Sequence, residues 1–230
     1  MYIGFCYYPH PFWTKRNKMV RRTKEEAQQT RCHIMNMALD LFCRQGLAKT
    51  SLTDIAKAAD LTRGAIYWHF KNKEELFVAL WEELCQPLSH QLDASLNPEE
   101  PDPLGRLRLF LHSALLKITR EPGHRQMFTI MYSLETIEVE GEAFTLREHI
   151  HKESRRFAQD LERSLANGVR KGQLPADLDL ARAATLLHCT LDGYILNWLH
   201  FPERVDLAKE ADYLLDCLFL QLHHMPARRD

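Results

Sequence analysis

The chain has 230 residues, 45% of them hydrophobic, with six cysteines and a formal net charge of −1, which is enough apolar material for one large domain or two small ones. No apolar run approaches the roughly 18 residues that a bilayer span needs, and a start broken by Pro9 and Pro11 and followed by Lys15, Arg16 and Lys18 does not resemble an export signal. The charge is uneven: residues 1–73 hold thirteen Lys or Arg against five Asp or Glu, and the remainder seventeen against twenty-six, so a basic end of the kind that meets a polyanion sits on an otherwise acidic chain.

Alternating stretches bounded by Asn-Gly or Asp-Gly turns are absent, whereas apolar residues recur at spacings of three and four, and this predicts an all-α fold. Thr23-Lys24-Glu25-Glu26 reads as a capping box opening a first helix, which carries Ile34, Ala38, Leu41 and Phe42 on one face and ends at Gly46. A short second helix starts at Ser51 and buries Leu52, Ile55, Ala56 and Ala59; after a turn through Asp60 and Leu61, Thr62 caps a third helix running to about His69. Asn72, with Glu75 three residues on, opens a longer fourth helix bearing Leu76, Phe77, Leu80, Trp81 and Leu84. The stretch NPEEPDP at 97–103 reads as a linker. Beyond it the periodicity predicts helices near 103–119, 124–135, 142–171, 179–200 and 206–224, with stops at Pro122, at Gly172 with Pro175, and at Pro202.

Two short helices joined by a tight turn, the second small and polar at its start, suit the major groove, because the leading end must approach base edges without bulk. Thr62 and Arg63 offer hydrogen bonds to bases or phosphates, and Gly64 and Ala65 permit close approach and contact with a thymine methyl. Tyr67, Trp68, His69, Lys71 and Lys73, together with Ser51 and Thr53 at the start of the second helix, are the candidates for flanking contacts. Arg21, Arg22 and Lys24 form a candidate basic arm, with plain solvated charge as the alternative.

Segment 51–77, SLTDIAKAADLTRGAIYWHFKNKEELF, strongly resembles the DNA-binding signature of the TetR family of transcription regulators. Within that family, RRTKEEAQQTR at 21–31, TRGAIYWHFKNK at 62–73, KGQLPADLD at 171–179 and LDGYILNWL at 191–199 resemble AcrR-like repressors of multidrug efflux pumps. The resemblance spans about 200 residues of the sequence printed above and is sharpest in its first third. It implies a helix-turn-helix domain at 19–73, a ligand-binding and dimerisation domain at 74–230, and a homodimer whose last two helices form a four-helix bundle. Residues 1–18 match nothing in the family; with Met19 just ahead of the family-like start, they read as a disordered extension from an upstream-assigned initiation site, a functional aromatic arm being the alternative.

The second domain supplies Trp81, Phe110, Phe128, Met131, Tyr132, Phe157 and Trp198 as candidate pocket residues, each also a natural core residue, with Met127 and Phe144 in the same inventory. Glu135, Asp192 and Asn197 are the polar candidates for orienting a lipophilic or cationic inducer, and for Asp192 structural pairing is the alternative. Leu187, Leu191, Leu215, Phe219 and Leu222 belong to an apolar surplus on the last two helices that suggests an isologous dimer bundle.

The six scattered cysteines lack any C-x-x-C pair and fit small buried hydrophobes in a reducing cytoplasm. Twelve histidines invite a metal, yet H-E-x-x-H is absent and only His149 with Glu153 has a one-face spacing, so neither metal nor cofactor is expected. Walker, G-x-S-x-G and G-x-G-x-x-G motifs are absent too, which argues against an enzyme. The expected partners are a palindromic double-stranded operator, a second copy of the chain and a small inducer, with no membrane. Alternatives that stay open are an architectural or cell-division factor of the same fold governed by a protein partner or by DNA alone, and an activator or metabolic regulator.

Overall fold

The computed structural model describes residues 24–135 and 142–225, and at 134, 135 and 142–145 the backbone only. The described residues form nine helices and no strand: α1 Lys24–Gln45, α2 Leu52–Ala58, α3 Arg63–His69, α4 Lys73–Leu96, α5 Pro103–Arg120, α6 Pro122–Glu135, α7 Glu142–Arg170, α8 Leu180–His200 and α9 Leu207–Leu222. None is long and apolar enough to cross a membrane. Residues 1–18, Arg21, Arg22 and Thr23 lie outside the described residues, as do the side chains of Glu135 and Phe144.

The chain divides into two compact units between Leu80 and Trp81, inside α4. In the first, α2 packs on α1 and on α3 around Ile34, Ala38, Phe42, Ile55, Ile66 and Phe70, none more than 2% exposed. Gly46 closes α1 at a φ of +84°, in the left-handed region that favours glycine. Lys73 reaches back from the start of α4, its Nζ donating to Leu47 O at 2.9 Å.

The second unit is a bundle in which α5 packs against α9, α6 and α7, and α8 against α7 and α9. Asp102, Asp179 and Asp206 stand just before α5, α8 and α9, and their carboxylates accept from the N–H of Gly105, Arg182 and Lys209 at 2.9, 3.1 and 3.3 Å. Each satisfies an amide that the first helical turn leaves unpaired. α5 stops at Arg120, just ahead of Pro122 as expected, but Pro122 also begins α6, two residues before the expected start near 124 and with only Glu121 between the helices. A proline at the first helical position gives up an N–H that has no helical acceptor there in any case.

Leucine and alanine fill the bundle core, and Gly168 of α7 is what allows α5 to come close: a Cβ there would lie 2.9 Å from Leu104 Cδ2 and 3.3 Å from Leu174 Cδ1. A few polar groups are buried with hydrogen bonds made. Ser95 Oγ and Ser164 Oγ lie 2.7 Å apart, Asn167 Nδ2 donates to Ser95 O at 2.8 Å, and His124 Nε2 is 3.0 Å from Leu84 O. Since a carbonyl only accepts, His124 must carry its proton on Nε2. Its Nδ1 faces a Glu121 carboxylate oxygen at 3.0 Å.

Two expectations follow. Replacing Gly168 with Ala gains helix propensity but overpacks a filled contact; the second effect is larger, so a net loss of about 1–2 kcal/mol is expected in urea unfolding. The second concerns His124, whose burial holds its proton affinity below the ordinary imidazole range, against the pull of Glu121 and the Leu84 carbonyl and with the push of Lys117. The unfolded chain takes up this proton near pH 6.5 and the folded chain only at lower pH. This residue's contribution is therefore full above about 6.5 and declines as the pH falls toward the folded value. His124→Gln keeps a donor for Leu84 O and should flatten part of the fall in melting temperature between pH 7.5 and 5.5; an equally steep fall in the variant would rule this out.

Candidate nucleic-acid interface and effector region

Both short helices of the first unit begin with side-chain caps. Ser51 Oγ accepts from Asp54 N at 3.1 Å while Asp54 Oδ2 accepts from Ser51 N at 3.0 Å and from Ser51 Oγ at 2.6 Å. That reciprocal arrangement holds Asp54 below the ordinary carboxylate range, the Ser51 hydroxyl contributing most, and it uses the hydroxyl proton of Ser51 inside the cap. Thr62 Oγ1 accepts from Ala65 N at 3.2 Å, which leaves its own O–H directed to other partners. The turn between the helices includes Asp60 at φ +53°, a left-handed conformation that Asp tolerates better than most side chains.

α3 buries Ile66 and, at its C-cap, Phe70, and turns its other face outward. Thr62, Arg63 and Gly64 are exposed at its start, Ala65 is half-buried, and Tyr67 and Trp68 are 43% and 72% exposed. The Arg63 guanidinium lies 5.4 Å from the Tyr67 ring centre, one helical turn on, so the two side chains share one stripe. Lys71 is exposed beyond the helix and Thr53 is half-buried on α2, while Lys24 is exposed at the far end of α1. His69 is half-buried with Trp68 edge-on at 4.5 Å. Lys73 is half-buried, and its ammonium donates to Leu47 O.

In the second unit, most of the predicted effector residues fall into one connected group. Phe110 and Phe157 have ring centres 6.1 Å apart, and Phe157 meets the edge of His188 at 5.1 Å. Asp192 draws the polar members together, Oδ1 accepting from Tyr132 OH at 3.0 Å and Oδ2 lying 3.4 Å from His188 Nε2. Burial and the adjoining carboxylate push the Tyr132 phenol up, so it stays a donor. Phe128 lies 6.3 Å from Tyr132, and Arg125 covers the Trp198 ring at 5.0 Å. Met131 is half-buried on the same helix, α6. Trp81 stands apart from this group, edge-on to His149 at 6.1 Å. His188 and Arg125 escaped the sequence reading; a histidine four residues before Asp192 was the available signal.

Asn197 is exposed and bonded to Gly193 O of its own helix at 2.8 Å. Of the residues expected at a dimer interface, Leu187, Leu191, Leu215 and Leu222 are at most 4% exposed inside the core of their own unit, and Phe219 is half-buried against it. These leucines satisfy the chain's own bundle first. The outward faces of α8 and α9 instead expose Tyr194, Tyr213 and Leu220, at 37%, 69% and 63%. Among the described residues no group of three or more His, Cys, Asp or Glu is placed to hold a metal.

Comparison with known proteins agrees with this architecture. Residues 34–80 match the family described as bacterial regulatory proteins, tetR family, and residues 102–224 match the MAATS-type transcriptional repressor, C-terminal region. The chain is 38% identical over 211 residues to the HTH-type transcriptional regulator TtgR of Pseudomonas putida, covering 92% of this chain and 100% of that one. It is 39% identical to the HTH-type transcriptional regulator AcrR of Shigella flexneri, over 89% of this chain and 94% of that one. Among solved structures, a SmeT–triclosan complex superposes with a TM-score of 0.76 at 28% identity, covering 84% of this chain and 91% of that one. NalD, the secondary repressor of the MexAB-OprM multidrug efflux pump in Pseudomonas aeruginosa, superposes with a TM-score of 0.74 at 28% identity, covering 87% and 98%. With both halves matched and relatives of this identity aligned along nearly their whole length, the chain belongs to the TetR family of bacterial transcription regulators.

Proposed function

We propose that the chain is a homodimeric repressor that occupies a palindromic operator of a multidrug efflux operon and leaves it when a lipophilic or cationic compound binds the aromatic group of its second unit. The observation that carries the DNA reading is the outward stripe of α3, where Thr62, Arg63, Gly64 and Tyr67 stand exposed on a helix fixed by its cap and its buried face. In this reading Arg63 pairs with guanine and Gly64 lets the backbone approach, while Tyr67, Trp68 and Lys71 serve the flanking phosphates. Lys24 is a phosphate contact of the same kind. Ser51 and Lys73 contribute by fixing the elements, since their polar groups are engaged within the chain.

The efflux target is supported by the likeness to NalD, and the effector region by the grouping of Phe110, Phe128, Tyr132, Phe157 and Asp192 in a unit like that of a protein solved with triclosan. A ligand that strips an operator must bind the released conformation more tightly, by a few kcal/mol. An aromatic group with one carboxylate and adaptable methionine beside it offers the apolar area and the orienting polar contact for that purpose. For the second copy, Tyr194, Tyr213 and Leu220 are the apolar contacts available at the outward faces of α8 and α9.

Footprinting on DNA flanking the chain's own gene and any neighbouring pump operon, with and without bile salts or triclosan, is the direct test. A palindromic footprint lost at sub-micellar ligand is the expected result, and a footprint indifferent to every compound would turn the reading toward a regulator governed by a protein partner or by DNA alone. Arg63→Ala or Tyr67→Ala should weaken operator binding by about 1–3 kcal/mol without changing the oligomeric state. Tyr213→Arg should instead change the oligomeric state, yielding a folded monomer in sedimentation whose operator affinity collapses for that reason; a dimer of unchanged strength would exclude this face.

A further inference from the structure

α6 meets α8 through side chains at two places. Tyr132 OH donates to Asp192 Oδ1 at 3.0 Å, and two turns earlier on α6 the Arg125 guanidinium lies 5.0 Å from the ring centre of Trp198, which stands nearly two turns beyond Asp192 on α8. The helices therefore run antiparallel here, with a carboxylate at one end of the shared stripe and a guanidinium at the other. At about 5.4 Å of rise per turn, those two ends stand roughly 10 Å apart. Between them the stripe is apolar: Phe128 lies on α6 with its ring centre 6.3 Å from that of Tyr132, and Ile195, 6% exposed, lies on α8. The Arg125 cation is not spent within the chain. Attraction to the indole ring leaves most of its N–H donors for other partners, and among the described residues no hydrogen bond or ion pair engages that guanidinium. Glu121, the nearest acid in sequence, faces His124 Nδ1 at 3.0 Å instead. Asp192 likewise keeps acceptor capacity, since among the described residues only Tyr132 and His188 approach its carboxylate.

We propose that the effector region is bipolar and takes an amphipathic acid, with its carboxylate paired to Arg125, its apolar body against Phe128, and a hydroxyl about 10 Å away donating to Asp192. A compound without charge gains apolar burial alone. A monocation pairs with Asp192 and leaves the guanidinium unused at the other end. An acid with a distant hydroxyl gains at both ends, and its carboxylate forms charge-assisted hydrogen bonds, the stronger kind, with a planar donor suited to it. A rigid apolar body makes both contacts while its ordering cost is met once. Arg125 is thus a specificity-determining residue that selects for the anion, and Asp192 selects for the donor. This inference rests on the reading of the aromatic group as the effector region; the placement of the two charges does not.

Titration calorimetry on the full chain with cholate, below its micellar range, tests both ends. Methyl cholate lacks the charge, and dehydrocholate carries ketones in place of the hydroxyls and cannot donate. The wild-type chain should bind cholate at least about tenfold tighter than either. Arg125→Met keeps an apolar cover over Trp198 and should bring acid and ester within about twofold, while the preference for hydroxyl over ketone persists. Arg125→Lys keeps the cation and should retain the preference for the acid. Asp192→Asn sets a donor where the carboxylate accepted and should erase or reverse the preference for hydroxyl, with the preference for the acid intact. Equal affinity for cholate and its ester in the wild type, or a preference for the acid that survives Arg125→Met, overturns the proposal. So does an equal loss of all three compounds in both Arg125→Met and Asp192→Asn. A chain that binds triclosan but none of the three overturns this proposal alone, whereas one that binds no compound, triclosan included, overturns the effector reading with it.

Discussion

A helix of seven residues does not hold together in water, because the cost of nucleating it exceeds what so few backbone bonds return. α2 and α3 are both of this length, and the surface that faces DNA in the proposed function depends on what holds them. Three kinds of contact do so. Ser51 and Thr62 pair otherwise orphaned amides, Ile55, Ile66 and Phe70 are sealed beneath, and a left-handed Asp60 turns the chain tightly enough for the two helices to share that buried face. The exposed stripe of Arg63, Gly64 and Tyr67 is therefore presented with little freedom left to lose on binding. Pre-organisation of this sort favours affinity by lowering the entropy spent at the interface.

The second unit solves a different problem. In the proposed function it must be stable and yet have more than one arrangement, and its polar groups are distributed in keeping with that. Where α5 and α7 meet, Gly168 and a wall of leucine give a contact that can only be close or broken. Around Asp192, by contrast, a phenol from α6 and an imidazole from α8 meet on one half-buried carboxylate, with Phe157 of α7 against that imidazole and Phe110 of α5 against Phe157. A compound offering its own hydroxyl or cation could replace one of those partners without leaving the carboxylate bare. Packed leucine resists small deformation; a polar junction with exchangeable partners invites it.

The elements were legible where their determinants are local. Gly46, Ser51, Thr62 and the Asn72–Glu75 spacing mark helix ends within four residues, and the structure uses each of them. Pro122 shows the limit of such signals, since it both stops α5, as its position predicts, and opens α6, whose apolar periodicity points to a start only near 124. Long-range pairings left less trace. Lys73 meets Leu47 across 26 positions and Tyr132 meets Asp192 across 60; nothing in either neighbourhood announces the partner. The leucines of α8 and α9 misled for a related reason: periodicity states that a face is buried but not by whom, and here α5 and α7 claim it before any second copy.

The placement of the tryptophans has an optical consequence. Trp68 stands 72% exposed on α3, while Trp198 is 7% exposed in the second unit beneath the Arg125 guanidinium. An indole in water emits at longer wavelength and is reached by soluble quenchers; an enclosed one is shielded from them. With Trp13 and Trp81 replaced by phenylalanine, the two remaining indoles are chromophores of unlike colour and accessibility, so events at the α3 surface and events in the second unit can be followed separately in one unlabelled sample.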